Sequence, residues 1–124
     1  MQTLLVVDDD EQIVEMVQDF AELKGYEVLP ATSPEEALRV LETQPGRIDL
    51  LITDVVMPHM DGPDLVRHVR ESHPEMKVIF ISGYTEDAFR KRLDTDSDIH
   101  FLPKPFSLKQ LAGKVKEVIS GETV

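Results

Sequence analysis

The stretch LLVVDDDEQI, residues 4 to 13, passes from four apolar residues directly into four acidic ones. A continuous apolar run of this length, rich in valine, suits a strand covered on both faces better than an alternating, half-exposed one. The acids that follow must then stand at the end of a buried strand, where each loses solvation and repels its neighbours. Two uses fit such a cluster. Carboxylates can open a helix, where they gain from capping and from the helix dipole, or they can wait for a cation.

Working outward, the same apolar run recurs. Five short strand-like segments are predicted: Leu4 to Val7, Tyr26 to Leu29, Leu50 to Thr53, Val78 to Ile81 and Ile99 to Leu102. Helical stripes alternate with them: Ile13, Met16, Val17, Phe20 and Leu23; then Ala37, Leu38 and Leu41; then Leu65, Val66 and Val69. The last stripe is Leu108, Leu111, Ala112, Val115, Val118 and Ile119, and a shorter one over 86–93 holds Ala88, Phe89 and Leu93. Ser33-Pro34-Glu35-Glu36 and Ser107-Leu108-Lys109-Gln110 have the form of capping boxes, and Gly25 ends the first helix. Strict β/α alternation predicts an α/β fold, a doubly wound parallel sheet with helices on both faces. No internal repeat, low-complexity tract or linker interrupts residues 1–124, which read as one domain.

Composition narrows the function. The 124 residues carry 24 acidic against 13 basic side chains, a net charge of −11. That balance argues against direct binding to nucleic acid or to an anionic membrane, both of which need clustered cations. Without cysteine there is no disulfide, thiolate nucleophile or Cys-based zinc site, and a reducing cytoplasm fits. Residues 1–7 lack the features of a signal peptide, and no apolar run approaches the roughly 18 residues of a membrane span. His59, His68, His73 and His100 have no zinc-ligand spacing and no partner for a catalytic triad. Arg67, Arg70, Arg90, Lys91 and Arg92 read as solvated helix faces.

In a sheet of this kind, chemistry gathers at the carboxyl ends of the strands. There the chain places Asp8, Asp9 and Asp10 after the first strand, Asp54 after the third, Ser82-Gly83 after the fourth and Lys104 after the fifth. Three negative charges from Asp8, Asp9 and Asp54, with Lys104 as the offsetting cation, ask for a hard divalent ion with oxygen ligands. Magnesium suits a site of one or two carboxylates, waters and phosphate oxygens. With the metal bound, a carboxylate can attack a phosphoryl group while the metal and a lysine hold its oxygens. The Ser82 hydroxyl and the Gly83 N–H would complete the cradle. Asp10 reads as the helix cap.

These pieces, together with Asp54 in a D-x-x-M-P-x-M-D-G pattern, Phe101 and Lys104-Pro105, resemble the receiver domain of two-component response regulators over essentially the whole chain. The segments FISGYTEDAFRKRL and FLPKPFSLKQLAGKVKEV resemble, more narrowly, the C-terminal receivers of CckA-like alphaproteobacterial hybrid histidine kinases. The resemblance implies a flavodoxin-like (βα)5 domain with strand order 2-1-3-4-5, working in the bacterial cytoplasm. It implies that Asp54 is the phosphoacceptor, and that Asp9, Asp54 and the Val56 backbone carbonyl bind magnesium, or manganese in its place. Asp8 would act mainly through water, Lys104 would pair with the phosphoryl group, and Ser82 and Phe101 would switch on phosphorylation. The implied partners are a histidine kinase or histidine phosphotransferase, and a downstream protein on the face formed by helix 86–94, strand 99–102 and helix 107–119. The chain stops soon after its last helix, so the expectation is output by surface contact or by passing the phosphoryl group to a histidine. Val56 is apolar and Tyr84 bulky at positions that flank the path of the hydrolytic water in this family, so slow self-hydrolysis is expected.

Two other functions compete. In a haloacid-dehalogenase-type phosphohydrolase, Asp8 would be the nucleophile of an Asp8-x-Asp10 pair, but Gln12 stands where a hydroxyl residue is expected and Asp54 is left without a role. A receiver-like domain that docks partners without being phosphorylated would leave the acids and Lys104 unexplained.

Overall fold

A computed structural model describes residues 2–44, 48–83 and 99–120. Five parallel strands form one sheet: β1 (Thr3–Val7), β2 (Glu27–Ala31), β3 (Leu50–Asp54), β4 (Lys77–Ser82) and β5 (Ile99–Pro103), in the order β2-β1-β3-β4-β5. Four helices are described: α1 (Glu11–Leu23), α2 (Pro34–Thr43), α3 (Gly62–Ser72) and α4 (Leu108–Ser120). The expected strand order is the observed one. The helix expected over 86–93, and Tyr84, lie outside the described residues. Among the described residues no helix is long and apolar enough to cross a membrane.

Alternation along the buried strands sorts their side chains into two cores. Leu5, Val7, Leu51, Val78 and Phe80 pack with Ala37 of α2 and with Leu65, Val66 and Val69 of α3. Leu4, Val6, Leu50, Ile52, Ile79 and Ile81 pack on the opposite face with Val14, Val17 and Ala21 of α1 and with Leu111, Val115 and Val118 of α4. All five residues of β1, and all five of β3, are buried, which is why these strands carry no polar alternation.

Several boundaries differ from expectation for physical reasons. β2 runs on past Leu29 through Pro30 to Ala31, because it lies at the sheet edge, where a proline without an N–H is tolerated. In α1, Val17 of the expected stripe is buried and Ile13, Met16 and Phe20 pack partly buried against the same core. Val14 and Ala21 complete that face, and Leu23 is 86% exposed because it lies past the stripe in the last turn. Leu108, the first residue of α4, is likewise exposed. Helix signals fared better. Ser33 Oγ accepts from Glu36 N, and Ser107 and Gln110 exchange both bonds of a capping box. Gly25, at φ +91°, follows α1 while the Tyr26 N–H returns to the Ala21 carbonyl, closing the helix with a left-handed residue.

Candidate functional site

The sheet's register builds the site. Val7 of β1 lies opposite Thr53 of β3, so Asp8 and Asp54 leave the sheet side by side at its carboxyl edge. Strand order reverses between these two strands, since β2 lies on one side of β1 and β3 on the other. On the far side of β3, Asp54 lies opposite Ile81, and Ser82 opposite Pro103, which brings Lys104 over the same edge. The Lys104 N–H donates to the Ser82 carbonyl at 2.7 Å, fixing the start of the loop that carries the lysine.

The side chains converge as the sequence predicts for Asp8, Asp9, Asp54 and Lys104. Carboxylate oxygens of Asp8, Asp9 and Asp54 all lie within 4.8 Å of one another. Lys104 Nζ is 3.0 Å from Asp8 Oδ2 and 3.5 Å from Asp54 Oδ2. Asp8 is fully buried and Asp54 nearly so, while Asp9 faces solvent. The remaining oxygens have local donors: Asp8 Oδ1 accepts from Asp10 N at 2.9 Å, and Asp54 Oδ1 from Val55 N at 2.8 Å. Asp10 Oδ1 accepts from Gln12 N, and its backbone is extended, so Asp10 is the N-cap of α1.

Charge here is held against its preference. Burial pushes the Asp8 carboxyl above the ordinary carboxylate range, against the Asp10 N–H and Lys104. Burial does the same to Asp54, against the pull of Lys104 and the Val55 N–H. For Lys104, burial opposes its charge, but the bond to Asp8 and the charges of Asp8 and Asp54 outweigh it and hold the ammonium above its ordinary value. The donor set fits a hard cation: three carboxylates, all oxygen, one of them open to water. A divalent ion would relieve the repulsion that burial intensifies.

The other expected residues stand on β4, on β5 and just after β3 and β4. Ser82 is buried at the end of β4, and Gly83 is exposed with open space where a side chain would stand. Val56 is 51% exposed, two residues past Asp54. Phe101 is buried in the core shared with α2 and α3, opposite Phe80 in the sheet. Two residues escaped the sequence reading. Thr53 is buried with its hydroxyl donating to the Asp54 carbonyl at 3.0 Å, and Gly62 opens α3 in contact with that same carbonyl. The D-G pair of the motif was the signal that could have pointed to Gly62.

A sequence-family model described as the response regulator receiver domain matches residues 4–116. Over 117 residues the chain is 48% identical to the sensor kinase CckA of Brucella abortus (strain 2308), an alignment that covers 94% of this chain and 12% of that protein. It is 32% identical over 119 residues to the response regulator receiver protein CpdR of the same organism, covering 96% of this chain and 98% of CpdR. The chain therefore spans a small part of the kinase it matches and nearly the full length of CpdR. Among solved structures, the receiver domain from the hybrid histidine kinase CckA superposes with a TM-score of 0.81 at 38% identity, covering 94% of this chain and 98% of that one. A response regulator receiver domain protein from Clostridium thermocellum gives 0.85 at 30% identity, covering 98% and 96%.

Proposed function

Because this chain belongs to the response regulator receiver family of two-component signalling, we propose that it accepts a phosphoryl group on Asp54 from a phosphohistidine. The observation that carries this reading is the meeting of Asp8, Asp9 and Asp54 within 4.8 Å, with Lys104 bridging Asp8 and Asp54. A carboxylate oxygen of Asp54 attacks phosphorus, the P–N bond breaks, and the departing imidazole keeps the electron pair and takes a proton. The product is an aspartyl phosphate. Lys104 pairs with the transferred group's oxygens, and the Ser82 hydroxyl and Gly83 N–H hold the remaining ones. Asp9, Asp54 and the Val56 backbone carbonyl would hold magnesium, or manganese, with Asp8 acting mainly through water, and the ion would supply the positive charge that lets an anion approach three acids.

The donor is a histidine kinase or a histidine phosphotransferase, and likeness to the receiver of a hybrid histidine kinase supports it. Phosphorylation then biases a two-state equilibrium through Ser82 and Phe101, changing the face that includes β5 and α4 for a downstream protein. Phe101→Leu, which keeps most of the core volume, weakens phosphorylation-dependent partner binding and spares phosphate uptake. Equal partner binding by parent and variant would count against the switch.

Acetyl phosphate with magnesium, followed by intact mass and mapping of the modified residue, tests the assignment. One added phosphoryl group on Asp54 is expected. Label on Asp8 would instead make the chain a phosphohydrolase of the haloacid-dehalogenase type. No label and no magnesium binding would leave a receiver-like binding domain.

A further inference from the structure

The backbone around Asp54 is held more tightly than a strand end requires. Its carbonyl accepts the Thr53 hydroxyl at 3.0 Å in a fully buried setting. The next amide, Val55 N, donates both to Asp54 Oδ1 at 2.8 Å and to the Ile81 carbonyl at 3.3 Å. The Val55 carbonyl in turn accepts the Gly62 N–H at 2.7 Å. Gly62 is the first residue of α3, a helix capped by Asp61, whose Oδ1 accepts from Asp64 N. A Cβ on Gly62 would stand 2.3 Å from the Asp54 carbonyl oxygen, 3.1 Å from Val55 Cα and 3.0 Å from Phe80 Cε1. Two of these three obstacles are backbone, and the third is a ring with no exposed surface. None is the loose end of a flexible side chain.

We propose that Gly62 and Thr53 are positioning residues for the acceptor carboxylate. The missing side chain lets α3 seat its first turn directly against the Asp54 peptide, and the Thr53 hydroxyl holds the same carbonyl. Because Asp54 Oδ1 is tied to the amide of that unit through Val55 N, moving the peptide turns the carboxylate. A methyl group at position 62 pushes the peptide away from α3, and Asp54 Oδ2 moves relative to Lys104 and Asp8. Displacements of about 1 Å can slow a positioned reaction by about 10²-fold. The inference rests on the proposed phosphoacceptor role of Asp54 for its kinetic consequence, but its geometric part does not.

The test compares the parent chain, Gly62→Ala, Thr53→Val and, as a control for lost stability, Val69→Ala, which thins the α3 core away from the site. Phosphate uptake from acetyl phosphate is expected to fall by about 10²-fold in Gly62→Ala and by less in Thr53→Val, with Val69→Ala close to the parent. In the metal-free proteins, the Val55 amide should shift and exchange faster with solvent in the first two variants, relative to their global stability, and not in the third. Should Gly62→Ala fail to fold, Thr53→Val carries both readouts by itself. Parent-like uptake in folded variants with an unmoved Val55 amide overturns the proposal. So does a loss of uptake that Val69→Ala reproduces at equal stability. If the parent itself takes up no phosphate, the acceptor reading fails instead, and the Val55 amide still decides the positioning.

Discussion

Lys104 Nζ lies between the two buried carboxylates, 3.0 Å from Asp8 Oδ2 and 3.5 Å from Asp54 Oδ2, across a gap of 96 residues in the chain from Asp8. The pairing tethers the loop after β5 to the ends of β1 and β3. Among the described residues the lysine is also the cation paired with both acids.

Replacing Lys104 with methionine keeps the aliphatic stem and removes the ammonium. Two buried acceptors then lose a charged donor, an effect of about 1–3 kcal/mol. Urea unfolding at pH 7 should show that loss, and the difference should shrink towards pH 4 as the carboxyls protonate. A pH-independent difference would mean that the lysine acts through packing alone.

Asp54→Asn should raise the melting temperature of the metal-free protein at pH 7. The sign follows from the raised folded-state pKa of Asp54: its favourable contribution is complete below the ordinary value of 3.8 and is lost as pH rises through the folded value. At neutral pH the charge therefore weakens the fold. A change on the order of 1 kcal/mol corresponds to a rise of roughly 2–8 °C, fading as pH falls through the raised folded value and gone below the ordinary 3.8. Saturating magnesium should reverse the order by stabilising the parent more than the variant, by up to about 2.7 kcal/mol at a hundredfold excess over Kd. A melting temperature lowered by the substitution in the metal-free protein would contradict the electrostatic account.

Asp10→Ala separates the helix cap from the metal cluster. Loss of the bond to Gln12 N should lower stability by about 1 kcal/mol, with magnesium affinity and phosphate uptake kept. If magnesium binding weakened as much as in Asp9→Ala, Asp10 would belong to the ion site.

Val56 presents an apolar side chain, half exposed, two residues past Asp54, the proposed acceptor. An attacking water finds no hydrogen-bond partner in that side chain, so the aspartyl phosphate should be long-lived. Val56→Asn is expected to shorten its half-life several-fold without changing uptake. Decay of the parent phosphoprotein within seconds would remove the basis for this expectation.

Much of this was written plainly in the chain. Strands buried on both faces leave continuous apolar runs, so β1, β3 and β4 could be read almost to the residue. β2 was harder, because an edge strand tolerates Pro30, which elsewhere signals a break. In α1 the stripe held through Phe20, and only at its end did side-chain size mislead, since the small Ala21 sits at the core while the larger Leu23 does not. The meeting of Asp8, Asp9, Asp54 and Lys104 was legible because each follows a predicted strand, and a parallel sheet brings those ends to one edge. Gly62 and Thr53 were not, since their importance lies in contacts with one carbonyl that no periodicity encodes.

The division of β1 and β3 into two packed faces has a consequence for inheritance of the site. Leu5 and Val7 face one helical layer and Leu4 and Val6 the other. A slip of one residue in β1 would exchange all of them between layers, and one in β3 would do the same to Leu50, Leu51 and Ile52. The same slip would carry Asp8 or Asp54 away from its counterpart. Mutations that conserve the acids but insert or delete a residue within these strands should thus lose fold and chemistry in a single step. The frame of the sheet sets where the two carboxylates stand relative to each other.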